Sequence, residues 1–191
     1  MLQHIIPSKT RRKILGLFFQ NVTENYYLRG IVRQIDEEVN AVKRELDILS
    51  DAKVLHKERR LNKIFYTLNK QYPLYDEFIR IFAKNNELSQ MIYKNLPKLG
   101  KVKFIGMSMK FAKKMPIKED EIYLFFIGII VVQEIVSIIS PIEKQFGREI
   151  NYTVMTEEEF NFRKKNNDAF IWRFLKQPKI MLIGLEEELL K

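Results

Sequence analysis

Basic and amide side chains are concentrated between residues 40 and 63, on two neighbouring segments. Asn40, Lys43 and Arg44 share one face of a predicted helix, opposite an apolar stripe. Four cations follow within seven positions: Lys57, Arg59, Arg60 and Lys63. A helix with such side chains can read base edges in the major groove, while cations on a hairpin neutralise phosphates. The pattern predicts double-stranded DNA as a partner, the alternative being that these side chains only face solvent.

The composition excludes several kinds of protein. The chain has 191 residues, with 33 Lys and Arg against 24 Asp and Glu, a formal charge of +9. A hydrophobic content of 46% excludes an intrinsically disordered chain. The absence of cysteine excludes a disulfide scaffold, a thiolate metal site and a cysteine nucleophile. The excess of positive charge makes nucleic acid the leading partner.

The elements that must position the basic residues are three helices and a β-hairpin. Helices are predicted over residues 9–20, capped by Ser8, over 26–35, and over 37–50, capped by Asp36. The buried stripe of the third helix is predicted to contain Val39, Val42, Leu46 and Leu49. Strands are predicted over 54–58 and 63–68, around a tip at 59–62, because apolar and polar side chains alternate there. This order is typical of a winged helix-turn-helix.

Three segments of this region carry a family resemblance: SKTRRKILGLFF, YYLRGIVRQI and VNAVKRELDILSDAKVL. Through them, residues 8–68 resemble the winged-helix domain of the ArsR-like transcriptional regulators. The resemblance implies a DNA-binding, dimeric regulator. Lys53 stands where the family usually has a helix-ending glycine. No metal sensing and no cofactor are expected, since cysteine is absent and His4 and His56 are too few for a closed site.

The remaining sequence predicts a helical connector and an α/β domain, so that the fold class is α+β with domains at 1–70, 71–100 and 101–191. The connector contains predicted helices over 74–83 and 88–96, whose packing residues are Phe78, Ile81, Phe82 and Ile92. These helices form either a dimer interface or an intrachain contact. From residue 102 the predicted order is strand 102–106, basic loop 107–118, strand 122–127, helix 131–146, strand 150–155, two short helices and strand 180–183. Trp172 is predicted to lie in the core.

The second half of the chain resembles a minimal nucleotidyltransferase domain. Four segments carry the resemblance: FIGMSMKF, EDEIYLFFIG, FGREINYTVMTEEEF and PKIMLIG. That family holds phosphate with a Gly-Ser dipeptide and divalent metals with two carboxylates. Gly106 and Met107 occupy the positions of the family's Gly-Ser dipeptide, and Glu121 and Tyr123 occupy the positions of its two carboxylates. Of these four residues, only Gly106 is the residue that the family has. A phenol with a pKa near 10 cannot replace a metal-bridging carboxylate. The resemblance therefore implies a degenerate nucleotide site without catalysis or bound metal.

In one alternative the domain retains metal binding and transferase activity. Glu119 and Glu121 lie on the same face of the predicted strand, and they would replace the family's two carboxylates in a shifted register. The lysine-rich segment from 98 to 118 is either a solvated loop or a surface for nucleotide or DNA phosphates.

No membrane association is predicted. The apolar run at 122–142 is interrupted by Gln133 and Glu134, which favours a buried strand and a helix over a membrane span. At the N-terminus the charges follow a short apolar stretch, the reverse of a secretory signal, which predicts a cytoplasmic protein.

Three hypotheses follow. The first is a dimeric DNA-binding transcriptional regulator whose silent second domain serves assembly, sensing or partner binding. The second is an active nucleotidyltransferase with a winged-helix recognition module. The third is a partner-binding protein of the toxin and antitoxin kind.

Overall fold

The computed structural model describes residues 2–115, 121–147 and 149–191. The chain divides into two compact units, of which the first ends at Asn85 and the second spans Asn86–Lys191. Both mix helices with strands, which gives the α+β class. The segment 71–100, predicted as a connector, is divided between the units, because its first helix belongs to the first unit and its second helix to the second.

The first unit places helices around a three-stranded sheet. In chain order its elements are α1 (Lys9–Phe19), β1 (Tyr26–Tyr27), α2 (Leu28–Ile35), α3 (Val39–Asp51), β2 (Leu55–Arg60), β3 (Lys63–Leu68) and α4 (Tyr75–Lys84). The sheet has the antiparallel order β1-β3-β2. Tyr26 and Tyr27 were predicted within a helix, but they pair with β3, where the Tyr26 ring packs edge-on against Phe18 at 5.1 Å.

The third helix begins later than predicted. Its N-cap is Glu38, whose carboxylate accepts hydrogen bonds from the backbone N–H groups of Asn40 at 2.9 Å and Ala41 at 2.8 Å. These bonds lower the pKa of Glu38 below its usual value. The predicted cap, Asp36, instead ends α2 in a left-handed conformation with φ 49°. The later start leaves Val39 42% exposed, outside the buried stripe, which does contain Val42, Leu46 and Leu49.

The C-terminal end of α3 has the hydrogen bonds of a Schellman motif. The backbone N–H of Val54 donates to Leu49 O and that of Lys53 to Ser50 O, both at 3.0 Å. Lys53 adopts φ 62°, a conformation that favours glycine. Lys53 therefore ends α3 in a turn that leads directly into β2, in the conformation that a glycine would adopt most readily.

The start of α1 is tied to α3 through Ser8. Its Oγ accepts from the backbone N–H of Arg11 at 3.1 Å, as an N-cap, and donates to Oε1 of Glu45 at 2.7 Å. The Nε of Arg11 donates to Oε2 of the same carboxylate at 2.7 Å. One carboxylate of α3 therefore accepts two hydrogen bonds from the beginning of α1.

Ser8→Ala is expected to lower the free energy of unfolding of the first unit by about 1 to 2 kcal/mol, because it removes both the cap and the bond to Glu45. Hydrogen exchange of amides in α1 and α3 measures the change. Ser8→Thr keeps the hydroxyl and is the control. Equal protection in Ser8→Ala and the wild type would contradict the expectation.

The second unit is built on a mixed four-stranded sheet with the order β6-β5-β4-β7. In chain order its elements are α5 (Glu87–Asn95), β4 (Gly100–Ser108), α6 (Met109–Ala112), β5 (Leu124–Ile130), α7 (Val132–Phe146), β6 (Tyr152–Met155), α8 (Glu157–Lys165), α9 (Ala169–Lys176), β7 (Lys179–Ile183) and α10 (Glu186–Leu190). β4 is antiparallel to β5 and β7, while β5 and β6 are parallel. The predicted alternation of strands and helices is present.

One core of this unit lies between the sheet and helices α8 and α9. Phe125, Phe160 and Phe174 are buried in it, and Trp172 packs partly buried against it, as predicted. The predicted basic loop at 107–118 was wrong at its start, because strand pairing continues to Ser108 and α6 follows. Residues 116–118 lie outside the described part of the chain.

Two helices fall within the predicted connector. α4 begins and ends one residue after the predicted helix, and its Phe82 is buried, whereas Ile81 is 40% exposed and does not pack within the chain. α5 packs against α7 in the second unit and buries Ile92. Within the described ranges, no helix has the length and apolar character needed to cross a membrane.

Candidate nucleic-acid interface

The face of α3 opposite the buried stripe carries the predicted base-reading residues. Asn40, Lys43 and Arg44 are all exposed. Their i, i+3 and i+4 spacing places them side by side on one helix face. Because Val42 and Leu46 are fully buried on the other face, α3 cannot rotate without exposing its apolar stripe.

The hairpin β2–β3 carries the four other predicted cations, and all four are exposed: Lys57, Arg59, Arg60 and Lys63. Arg60 pairs with Lys63 across the ladder, so that Leu61 and Asn62 form a two-residue turn. The hairpin is therefore close to the predicted one, with β2 extending two residues nearer the tip.

The Nζ of Lys57 lies 3.7 Å from Oδ1 of Asp47, and aromatic or acidic neighbours also hold Lys63 and Arg60. The Nζ of Lys63 lies 4.7 Å from the centroid of the Tyr27 ring. The guanidinium of Arg60 lies 5.6 Å from the Phe65 centroid and donates from Nη2 to Oε2 of Glu58 at 2.7 Å. This contact lowers the pKa of Glu58 and raises that of Arg60. Both side chains stay at the surface with defined orientations.

One groove joins α3 to the hairpin. It has a volume of about 500 Å³, and its wall includes Lys43 from α3, Asn62 and Lys63 from the hairpin, and Arg29 from the first turn of α2. Tyr27 and Tyr66 also line it. We call it the basic groove. Because Lys43 and Lys63 line the same groove, α3 and the hairpin present basic side chains on the same side of the first unit.

Arg29 in this groove was missed by the sequence analysis. It stands in the first turn of α2, inside the segment YYLRGIVRQI. The residues next to Arg29 in the sequence, Leu28 and Gly30, are uncharged, so Arg29 is not part of a run of basic residues that the sequence pattern could reveal. α2 packs against α3 and directly follows β1, which pairs with β3, and this arrangement brings Arg29 near Lys43 and Lys63.

The cations at the start of α1 have a different role. Lys9 and Lys13 both pair with Oε1 of Glu37, at 2.9 and 2.7 Å. These pairs lower the pKa of the Glu37 carboxyl. By contrast, no ion pair within 4 Å involves Lys43, Arg44 or Arg59 in the ranges 2–115, 121–147 and 149–191. These three interface cations therefore differ from Lys57 and Arg60, which pair with Asp47 and Glu58.

In the second unit, Gly106 and Met107 lie inside the sheet. A Cβ on Gly106 would lie 2.0 Å from Cε1 of Phe125, so that the aromatic ring occupies the space that a side chain would need. Met107 is fully buried and pairs with Leu124. Ser108 stands at the end of the strand, where its Oγ caps α6. Neither Gly106 nor Met107 forms an open phosphate cradle.

Glu121 and Tyr123 also have partners within the protein. The Nζ of Lys110 donates to Oε1 of Glu121 at 2.5 Å. Tyr123 is 8% exposed, and its ring packs edge-on against Phe111 at 4.8 Å. Glu119, the partner of Glu121 in the alternative acid pair, lies outside the described residues.

A cavity of about 880 Å³ lies at the start of β5 and β6. Glu121 lines it, together with Glu143, Glu149 and Arg173, none of which was predicted. These residues come from three distant segments, so that no motif in the sequence joins them. Within the described parts of the chain, no three His, Asp or Glu side chains are grouped so that they could hold a metal ion.

Comparison of the chain with protein-family models, with curated proteins and with solved structures found no match.

Proposed function

We propose that the protein is a DNA-binding transcriptional regulator whose first unit is a winged helix-turn-helix. In this proposal α3 is the recognition helix and the hairpin β2–β3 is the wing. The observation that carries the proposal is the basic groove, in which Lys43 of α3 and Lys63 of the hairpin line one concave surface.

The order of elements supports this assignment. The sequence α1, β1, α2, α3, β2 and β3, with β1 added to the hairpin, agrees with the winged-helix architecture that the ArsR-like resemblance implies. The left-handed turn at Lys53 agrees with the resemblance at its most divergent position.

The contacts with DNA divide by chemistry. Asn40 and Arg44 face outward from α3 and suit the hydrogen-bonding edges of adenine and guanine in the major groove. Lys57, Arg59, Arg60 and Lys63 on the wing suit phosphates, where neutralised charge releases counterions.

Glu38 determines which part of α3 meets the duplex. Its carboxylate accepts bonds from the first backbone N–H groups of α3, so that no phosphate can bind those groups. A phosphate contact from α3 must therefore come from a side chain, such as that of Lys43 about one turn farther along.

For the second unit we propose a nucleotidyltransferase-like fold without transferase chemistry, which serves assembly, sensing or partner binding. Support comes from the burial of Met107 and Tyr123 and from the Lys110–Glu121 pair. Homodimerisation, through α4 or another apolar surface, is part of the proposal. Magnesium-dependent transfer of label from a nucleoside triphosphate would contradict the absence of chemistry.

The wing contacts are tested by the salt dependence of binding. The double variant Arg59→Ala/Arg60→Ala is expected to bind every duplex more weakly, and the slope of log K against log salt should fall by between about one and two. The full value of two is not expected, because Arg60 already pairs with Glu58. Fluorescence anisotropy with a labelled duplex at 50 to 200 mM salt measures both quantities.

Lys70→Ala is the control, since it removes a charge at the base of the hairpin, beyond β3. It should leave the slope nearly unchanged. A wild-type protein that fails to bind duplex DNA at the lowest salt would overturn the proposed function.

A further inference from the structure

The tip of the hairpin carries an apolar side chain where the backbone favours glycine. Leu61 is 94% exposed, so that its side chain packs against almost nothing in the protein. It also adopts φ 52°, in the left-handed region that Gly, Asn and Asp enter far more readily than leucine. A leucine here is unfavourable both in hydration and in backbone conformation, which the folded unit alone does not explain.

Cations surround this apolar tip. Arg60 and Lys63 flank the turn directly, and Arg59 is the next residue along β2. Glu58 and the rings of Phe65 and Tyr27 orient Arg60 and Lys63. The turn therefore presents the apolar side chain of Leu61 between positive charges, and Ile64, which is 46% exposed, follows Lys63 on β3.

The partner must complement both features. The minor groove of DNA is a narrow apolar-walled channel between two rows of phosphates, and apolar wedges that enter it unstack neighbouring base pairs. Leu61 differs from the aromatic and arginine side chains that dominate protein interfaces, and from the long apolar helix face that binds a membrane surface. The cations on both sides of Leu61 therefore favour duplex DNA over a membrane or a protein as the partner of the hairpin tip.

We propose that Leu61 is a wedge, which enters the minor groove beside the site read by α3, separates two base pairs and bends the DNA. This inference rests on the proposed function. It assigns a specificity role to a residue that makes no hydrogen bond to a base: the wedge favours flexible pyrimidine–purine steps, such as TA and CA, where unstacking is easiest.

The variants Leu61→Asn and Leu61→Gly test the proposal without endangering the fold. Both remove the wedge, keep the net charge and suit the left-handed turn better than leucine does. Leu61→Met keeps an apolar side chain and is the matched control. The probe is a duplex taken from genomic fragments that the wild-type protein selects, with fluorophores at its two ends for energy transfer and 2-aminopurine at the step under the wing.

The wild-type protein and Leu61→Met are expected to bend the duplex by tens of degrees and to increase 2-aminopurine fluorescence. Leu61→Asn and Leu61→Gly should lose both signals and about tenfold in affinity for duplexes with a flexible step, while the salt slope stays unchanged because no charge is lost.

Four results would overturn the proposal that Leu61 is a wedge. Equal bending by the wild type and Leu61→Asn would show that the side chain does not act on the DNA. If the wild-type protein binds the duplex without bending it, the wedge is contradicted but the proposed function is not. If the wild-type protein does not bind duplex DNA, both the wedge and the proposed function are contradicted. Leucine-dependent binding to vesicles of phosphatidylserine and phosphatidylcholine, with no effect of Leu61 on DNA, would assign the tip to a membrane surface.

Discussion

Gly106→Ala is expected to destabilise the second unit by about 3 kcal/mol, at the upper end of the usual cost of overpacking a core. The new Cβ would lie 2.0 Å from Cε1 and 2.2 Å from Cζ of Phe125. Phe125 is 1% exposed, and its ring centroid lies 4.1 Å from that of Phe174, so that the ring cannot move aside. Urea unfolding followed by the fluorescence of Trp172, the chain's single tryptophan, measures the change.

Two variants distinguish packing from other effects. Gly16→Ala is the control, because its Cβ would meet nothing nearer than 3.9 Å, and it should stabilise α1 by about 0.5 to 1 kcal/mol, which hydrogen exchange in the first unit reports. In the double variant Gly106→Ala/Phe125→Leu the smaller side chain makes room for the Cβ, so that the two costs should not add. An unchanged unfolding midpoint in Gly106→Ala, combined with loss of nucleotide binding, would restore the phosphate role for this glycine.

Arg44→Ala is expected to weaken binding to the preferred duplex by about 1 to 3 kcal/mol if the guanidinium reads a base. Arg44 stands on the exposed face of α3, so that its loss should leave the unfolding midpoint unchanged. Selection of genomic fragments, followed by anisotropy titrations on the preferred and on unrelated duplexes, measures the discrimination.

Arg44→Lys provides the matched comparison. It keeps the charge but loses the bidentate hydrogen bonds of a guanidinium, so that it should retain the salt slope and lose the discrimination. Lys70→Ala again controls for the loss of one charge, because Lys70 follows β3 and lies away from the hairpin tip. An equal loss on every duplex in Arg44→Ala would assign Arg44 to a phosphate contact.

Regular apolar periodicity made much of the first unit predictable. The apolar positions of α1 and the capping hydroxyl of Ser8 define that helix, and β3 has the predicted bounds. The start of α3 was predicted wrongly, because Asp36 and Glu38 both offer a carboxylate to a helix N-terminus. The left-handed end of α2 decides between them, and it depends on how α2 packs.

The candidate site of the second unit was harder to predict for a different reason. A glycine that admits a phosphate and a glycine that admits an aromatic ring have the same appearance in a sequence. At Gly106 the neighbour is Phe125, which stands nineteen residues along the chain on the adjacent strand. The lining of the 880 Å³ cavity depends likewise on contacts between distant segments.

The pairing of Lys9 and Lys13 with Glu37 makes a contribution to the stability of the first unit that depends on pH. A carboxyl whose pKa is lowered by folding adds stability at pH values above the pKa of the unfolded chain, and the gain is lost as the pH falls through the lowered value. The link between α1 and the segment that leads into α3 therefore persists through the weakly acidic range. The proposed recognition helix, α3, therefore follows a segment whose ion pairs with α1 are lost only when the pH falls below the ordinary pKa of a glutamate.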